Sequence, residues 1–360
     1  MKKVIFALAA VVALAACSQE DVIVADKGAA IGFDTFVENS TRSVNDPSYT
    51  NANMFADFAV FGYVEGAVLF DGVQVAKTIT NNDLESAWKY AGTQYWITGA
   101  MYNFNAVAPK TDGNWTVVKK DAADNVVTNA SQTTLSFTND GETDLLYAYA
   151  TAQGKNEKND VVEFNFRHVL SKVKFSFENA YNATNATIRV ENVKINDAYA
   201  LGVATLNANT AWAPASNNLV LDFGNATDAA DTDAKEAVDV AFAYGKTYES
   251  HNELLMIPGQ GATAYTVKDA NGIDVNKTGY TVTFTVELLV SEQEVAQYTH
   301  TIYTDFAPVA GHSYDLKATI DHENIDPAHS QEAIQFTVTN IGNWGTDDNG
   351  EAAGDNNKVI

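Results

Sequence analysis

Between Tyr280 and Val290 every second residue is apolar: Tyr280, Val282, Phe284, Val286, Leu288 and Val290, with Thr281, Thr283, Thr285 and Glu287 between them. A period of two puts the two sets on opposite sides of an extended chain, so the segment reads as a strand with one packed face and one wet face. The same period returns at Tyr102, Phe104, Ala106 and Ala108, at Tyr314, Leu316, Ala318 and Ile320, and at Ile334, Phe336 and Val338. Other β-rich runs cover 58–64, 145–149, 161–166, 169–177, 188–195, 219–223 and 254–257. Clusters of Asn, Asp, Gly and Thr punctuate them at intervals close to those of a β-sandwich. One short helix is expected within 229–243, with Thr232 as its cap ahead of Lys235 and Glu236. The six prolines, Pro47, Pro109, Pro214, Pro258, Pro308 and Pro327, are expected at strand ends or in loops, since proline cannot donate to a ladder. The fold class is all-β.

The chain has 360 residues, 46% of them apolar, which is enough for two sizeable cores. The polar stretch 153–160 is the best interior divide, separating a sandwich over 43–157 from one over 158–346. Forty-six acidic residues against 22 basic ones leave a formal charge of −24, which repels phosphate backbones and argues against a nucleic-acid partner. The single cysteine, Cys17, excludes an internal disulfide framework and a Cys-ligated zinc site.

Met1-Lys2-Lys3 followed by an apolar run to Ala16 is a secretory signal: a positive start, then a stretch too short to cross a hydrocarbon core of about 30 Å. Its end, Leu14-Ala15-Ala16-Cys17, resembles a bacterial lipobox, which makes 1–17 a lipoprotein signal and Cys17 the lipidation site, carrying palmitate-type chains into the outer membrane. The next residues, Ser18-Gln19-Glu20-Asp21, are similar to the acidic surface-export signal of Bacteroidia-type lipoproteins.

Several segments in order then carry a wider resemblance. They are Ile31-Gly32-Phe33-Asp34-Thr35-Phe36 leading to Ser40-Thr41-Arg42, Phe58-Ala59-Val60-Phe61-Gly62-Tyr63, Tyr95-Trp96-Ile97, and Tyr102-Asn103-Phe104 with Ala108-Pro109. Asp144-Leu145-Leu146-Tyr147-Ala148, Phe166-Arg167-His168-Val169-Leu170-Ser171-Lys172-Val173 and Asn343-Trp344-Gly345 complete the set. Together, behind a lipobox, they resemble the fimbrillin family, the lipoprotein pilins that build type V pili. The resemblance implies two tandem transthyretin-like β-sandwich domains in a cell-surface pilus subunit, structural and adhesive. It also implies assembly by strand exchange: an arginine-specific protease cuts behind the first strand, that strand leaves, and a neighbouring subunit's strand fills the groove. On this reading 18–42 is a pro-segment holding the first strand, with Ile31, Phe33, Phe36 and Val37 as apolar plugs.

Arg42 suits the cut on separate grounds. The chain has only three arginines, and Arg167 and Arg189 sit inside β-patterned runs, whereas Arg42 lies in the polar setting Glu38 to Pro47. The expected donor strand is less clear. The tail 347–360 is polar until Val359 and Ile360, and the alternating Ile334, Phe336 and Val338 read equally as a donor or as the last strand of the second sandwich. Partners implied are other pilus subunits, the outer membrane through the lipid on Cys17, and a host or bacterial surface ligand.

Catalytic and metal readings find little. His312, His322 and His329 with Asp315, Asp321, Glu323 and Asp326 invite a metal site, but His312 and His322 fall at opposite ends of one expected strand. His168 is read as packed or hydrogen-bonded. The acid-rich 346–351 lacks a full EF-hand pattern, and no nucleophile elbow, P-loop or dinucleotide fingerprint is present. No enzyme activity, cofactor or metal is expected. The second reading is a surface glycan- or ligand-binding lipoprotein on tandem β-sandwiches, with Trp212, in a loop-like setting, as its exposed sugar-stacking candidate.

Overall fold

In the computed structural model, the residues described are 29–37, 55–77, 88–118, 133–154, 161–206, 210–228, 240–268, 271–325 and 334–343. Cys17, Arg42, most of the expected helix, His329, Asp326 and the tail from 347 lie outside them. Strands are numbered along the chain. A seven-stranded sheet joins β1 (Gly32–Val37), β2 (Asp57–Val64), β3 (Ala67–Lys77), β4 (Trp88–Tyr90), β5 (Met101–Ala108), β8 (Leu146–Gln153) and β9 (Val161–His168) in the order β1-β9-β8-β5-β2-β3-β4. A four-stranded sheet holds β6 (Trp115–Val117), β7 (Thr133–Thr138), β12 (Leu201–Leu206) and β13 (Ala211–Ala215). A third sheet holds β10 (Ser171–Asn179), β15 (Ala226–Thr227), β17 (Thr247–Ser250), β18 (Leu254–Met256), β22 (His312–Ile320) and β23 (Phe336–Asn343). The fourth holds β11 (Ala186–Ala198), β14 (Leu219–Gly224), β16 (Phe242–Ala243), β19 (Thr263–Lys268), β20 (Asp274–Val290) and β21 (Gln293–Thr304). One helical turn, α1 (His322–Ile325), follows β22. The fold is all-β.

The third and fourth sheets form a sandwich over one core. Tyr280, Val282, Phe284, Val286 and Leu288 of β20 point into it, and so do Tyr314, Leu316, Ala318 and Ile320 of β22. The period-two reading of these strands therefore describes how they pack. The seven-stranded sheet differs, because both of its faces are covered. Phe58 and Val60 of β2 enter one core with Phe104 and Phe164, while Ala59, Phe61 and Tyr63 of the same strand enter another with Leu135, Phe137, Ala204 and Leu206 of the four-stranded sheet. In β5 the expected wet face is likewise buried: Asn105 and Val107 are fully enclosed. Gly62 has a packing reason, since a Cβ there would stand 2.6 Å from the Phe70 ring and 3.0 Å from that of Phe104.

The division expected at 157/158 does not follow the sheets. β9, beyond that point, is hydrogen-bonded to β8 and β1, and the hairpin of β12 and β13 returns from the second half of the chain to pair with β7 in the four-stranded sheet. β8 and β9, on either side of the polar stretch 153–160, are neighbours in one sheet. The end of the expected helix, Phe242–Ala243, is a short strand paired with Thr187 and Ile188. Pro214 sits inside β13 rather than beside a strand, and β13 is an edge strand, where a missing donor is tolerated.

Candidate functional site

The first strand occupies a seat built from β9, from Tyr90 of β4 and from the segment 94–96. β1 runs parallel to β9, from Gly32 opposite Val161 to Val37 opposite Phe166. Just before it, Ala30 bridges Tyr95, the Ile31 amide donates to the Gln94 carbonyl at 2.9 Å, and the Trp96 amide donates to the Ala29 carbonyl at 3.0 Å. The Tyr90 hydroxyl donates to the Ile31 carbonyl at 2.8 Å and accepts from the Gln94 amide at 3.1 Å. Burial raises the Tyr90 pKa against the opposing effect of the Gln94 amide, which keeps the phenol protonated and donating.

Beneath this backbone clamp Ile31 and Phe33 are 2% and 5% exposed. Phe33 is ringed by aromatics: Phe70 and Tyr90 at 5.4 Å, Phe164 at 5.6 Å, Phe104 at 6.0 Å and Phe58 at 6.5 Å between ring centroids. The seat is thus an apolar slot with a polar rim. β1 is the terminal strand of its sheet, so its departure would break no interior ladder yet would bare unpaired groups of β9 together with that slot. Phe36 and Val37 continue β1 opposite Asn165 and Phe166. Tyr90 and Gln94 are parts of the seat that sequence reading missed; the nearby motif Tyr95-Trp96-Ile97 was its visible trace.

Ile334, Phe336 and Val338 are engaged elsewhere. β23 is the outer strand of the third sheet, antiparallel to β22. Ile334 is 2% exposed, and Phe336 lies against Phe175 at 5.3 Å and Phe284 at 5.9 Å. In this structure the segment is the last strand of the C-terminal sandwich.

Two of the three arginines are held in strands. Arg167 of β9 donates to Thr210 Oγ1 at 3.2 Å and lies over the Tyr147 ring, and Arg189 of β11 donates to Glu287 at 2.6 Å. His168 is buried with Nδ1 2.7 Å from Asp144. His312 and His322 stand at the two ends of β22, His322 stacked on Tyr181 at 4.4 Å. Trp212 is not the exposed platform that its surroundings in sequence suggest. It lies in β13, edge-on to Phe137 at 6.1 Å, with its indole N–H donating to the Val169 carbonyl at 2.8 Å, so packing and a hydrogen bond both occupy the ring a sugar would need.

The fold is that of a β-sandwich protein whose first strand closes one edge of an otherwise complete sheet. The family model described as fimbrillin-like matches residues 41–344, from just beyond β1 through the end of β23. The chain belongs to the fimbrillin-like family, which supports a pilus or adhesin subunit. Solved structures similar to it include the fimbrial anchor protein Mfa2 from Porphyromonas gingivalis, at 13% identity over 87% of this chain and 98% of that one, with a TM-score of 0.33. A candidate cell adhesion protein from Bacteroides ovatus, at 15% identity over 89% and 99%, has a TM-score of 0.43. A candidate adhesin from Bacteroides thetaiotaomicron, at 11% identity over 89% and 100%, has a TM-score of 0.41. No curated protein matches the sequence. No helix among the described residues is long and apolar enough to cross a membrane.

Proposed function

We propose that this chain is the precursor of a cell-surface pilus subunit, exported as a lipoprotein through Cys17, cut at Arg42 and assembled by strand exchange at the seat of β1. One observation carries the reading: β1 is a terminal strand, paired along its length with β9 alone, with Ile31 and Phe33 sunk in a slot that the rest of the fold completes. Such a strand can be replaced from outside without unfolding what it leaves. Arg167 and Arg189, held by Thr210 and Glu287 inside strands, are poor protease sites, which leaves Arg42 for processing. Ile334, Phe336 and Val338 are this chain's candidate donor. To serve as one, β23 would have to leave β22 and draw Ile334 from its core, so donation would open the C-terminal sandwich.

The test treats wild-type and Arg42→Ala precursors with an arginine-specific protease and follows assembly on SDS gels. Wild type should shift to SDS-resistant ladders, and Arg42→Ala should remain monomeric with an unchanged melt, because a single arginine in so polar a stretch of sequence, Glu38 to Pro47, is expected to add little to stability. Normal ladders from Arg42→Ala would place processing elsewhere. Palmitate labelling lost in Cys17→Ser checks the anchor.

A further inference from the structure

β21 is an open edge: among the described residues it is bonded to β20 alone. Open edges invite pairing with other chains, and folded proteins blunt them with proline, lysine, bulges, brevity or cover. Several other edges here are blunted in those ways. β13 carries Pro214, β4 and β6 have three residues each, and β15 has two. Apart from one bulge near its start, at Glu294 to Ala296, β21 carries none of these among the described residues. It runs for 12 residues with no Pro, Gly, Lys or Arg, and holds a single acid, Glu294, in a chain whose formal charge is −24.

The geometry of that edge is also self-matching. The hairpin turns on Ser291 and Glu292 at φ 51° and 65°, the left-handed pair that a two-residue connection requires. The one register shift between β20 and β21 lies at Leu288/Leu289, so Ala296 to Thr304 pairs without interruption, and His300 is its midpoint. Alternation is clean over this stretch: His300, Ile302 and Thr304 are buried, while Gln297, Thr299, Thr301 and Tyr303 are exposed.

We propose that a second copy of this chain docks its β21 on this one, antiparallel, about a two-fold axis through His300. Pairing about that residue sets Thr299 against Thr301, Gln297 against Tyr303 and Tyr298 against Ile302. Exposed side chains meet exposed ones and inward ones meet inward ones, so the sheet and the core beneath it run on from one copy to the next. A slip of one residue would turn the buried row outward, which excludes odd registers. No like-charge pair arises along the stretch, in a molecule whose acidic surface would otherwise hold two copies apart. This contact is lateral and separate from the seat of β1, so it stands or falls independently of strand exchange.

Sedimentation of the full chain in mild detergent, with Thr299→Lys/Thr301→Lys beside wild type, tests it. Wild type should show a monomer–dimer equilibrium; the variant, which sets lysines against lysines across the axis, should weaken the dimer at least about tenfold with its melt unchanged. Cys17 is the only native cysteine, so Thr299→Cys mixed with Thr301→Cys on a Cys17→Ser background should give an oxidised heterodimer in greater yield than either alone. A monomeric wild type, a dimer indifferent to the lysines, or a β21 edge that captures only unrelated strand peptides would each overturn the proposal.

Discussion

Phe33 of β1 and Phe164 of β9 stack with ring centroids 5.6 Å apart and planes 17° from parallel, which couples a strand near the chain's start to one more than a hundred residues later. The aromatic ring around Phe33 makes it the principal side chain holding β1 in its seat. Phe33→Ala should lower the precursor's stability by about 3–5 kcal/mol, the usual cost of emptying an aromatic site in a core that cannot collapse. Val161, directly opposite Gly32 but 46% exposed, should tolerate alanine within about 0.5 kcal/mol. Urea unfolding of both variants reads the contrast; equal effects would mean that β1 is held by its backbone ladder alone.

Asp57 supplies a pH-dependent contribution. It is 4% exposed and accepts hydrogen bonds from the Lys110 and Thr111 amides, both at 3.0 Å, and from the side chains of Thr111 and Gln74. Burial pushes its pKa up, but the bonds from Thr111, Gln74 and Lys110 together outweigh that and hold it below the usual aspartate value. A carboxylate whose folded pKa is depressed stabilises the protein above its unfolded pKa of about 3.9, and that stability is lost as pH falls through the folded value. Asp57→Asn should therefore cost about 1–3 kcal/mol near neutral pH. The gap between wild type and variant should stay constant above about pH 5 and shrink below about pH 4. Urea unfolding at a series of pH values measures it, and a gap independent of pH would show that the charge is not what the site uses.

Much of this architecture is legible along the chain, and what is not has a common cause. Alternation in β20 and β22 directly names the side chains of the C-terminal core, because each strand there meets one core on one side. In β5 the same alternation misleads about the second face: Asn105 and Val107 are covered by a four-stranded sheet assembled from β6, β7, β12 and β13, and no local pattern announces strands that distant. The parallel pairing of β1 with β9 is equally non-local, although the plug residues Ile31 and Phe33 are recognisable in the sequence. Trp212 was misplaced because a tryptophan beside Asn209, Thr210 and Pro214 looks like loop, whereas its indole N–H finds a buried carbonyl at Val169 and lets the ring pack at an edge.

The last prediction concerns the ion pair on the outer face of the fourth sheet. Arg189 and Glu287 are cross-strand partners in β11 and β20, with Nη1 2.6 Å from the carboxylate, whose other oxygen accepts from Gln297 of β21 at 2.7 Å. The Glu287 side chain is 8% exposed and that of Arg189 24%, so this pair is largely shielded, unlike Lys268 and Asp274 at 70% and 67%. Removing one charge strands the other in a partly dry setting, and Glu287→Gln should cost about 1–3 kcal/mol. Replacing both, as Arg189→Met/Glu287→Leu, should cost less than the sum of the single changes, with a coupling of about 1 kcal/mol or more. The matching cycle on Lys268 and Asp274 should give no measurable coupling, because water screens both groups. Three-strand continuity is the reason for the difference: Glu287 joins β11, β20 and β21 through side chains as well as through the ladder. Denaturation of the four proteins of each cycle at low and high salt decides the matter: the Arg189–Glu287 coupling should persist at high salt, and a coupling that salt abolishes would show the pair to be merely superficial.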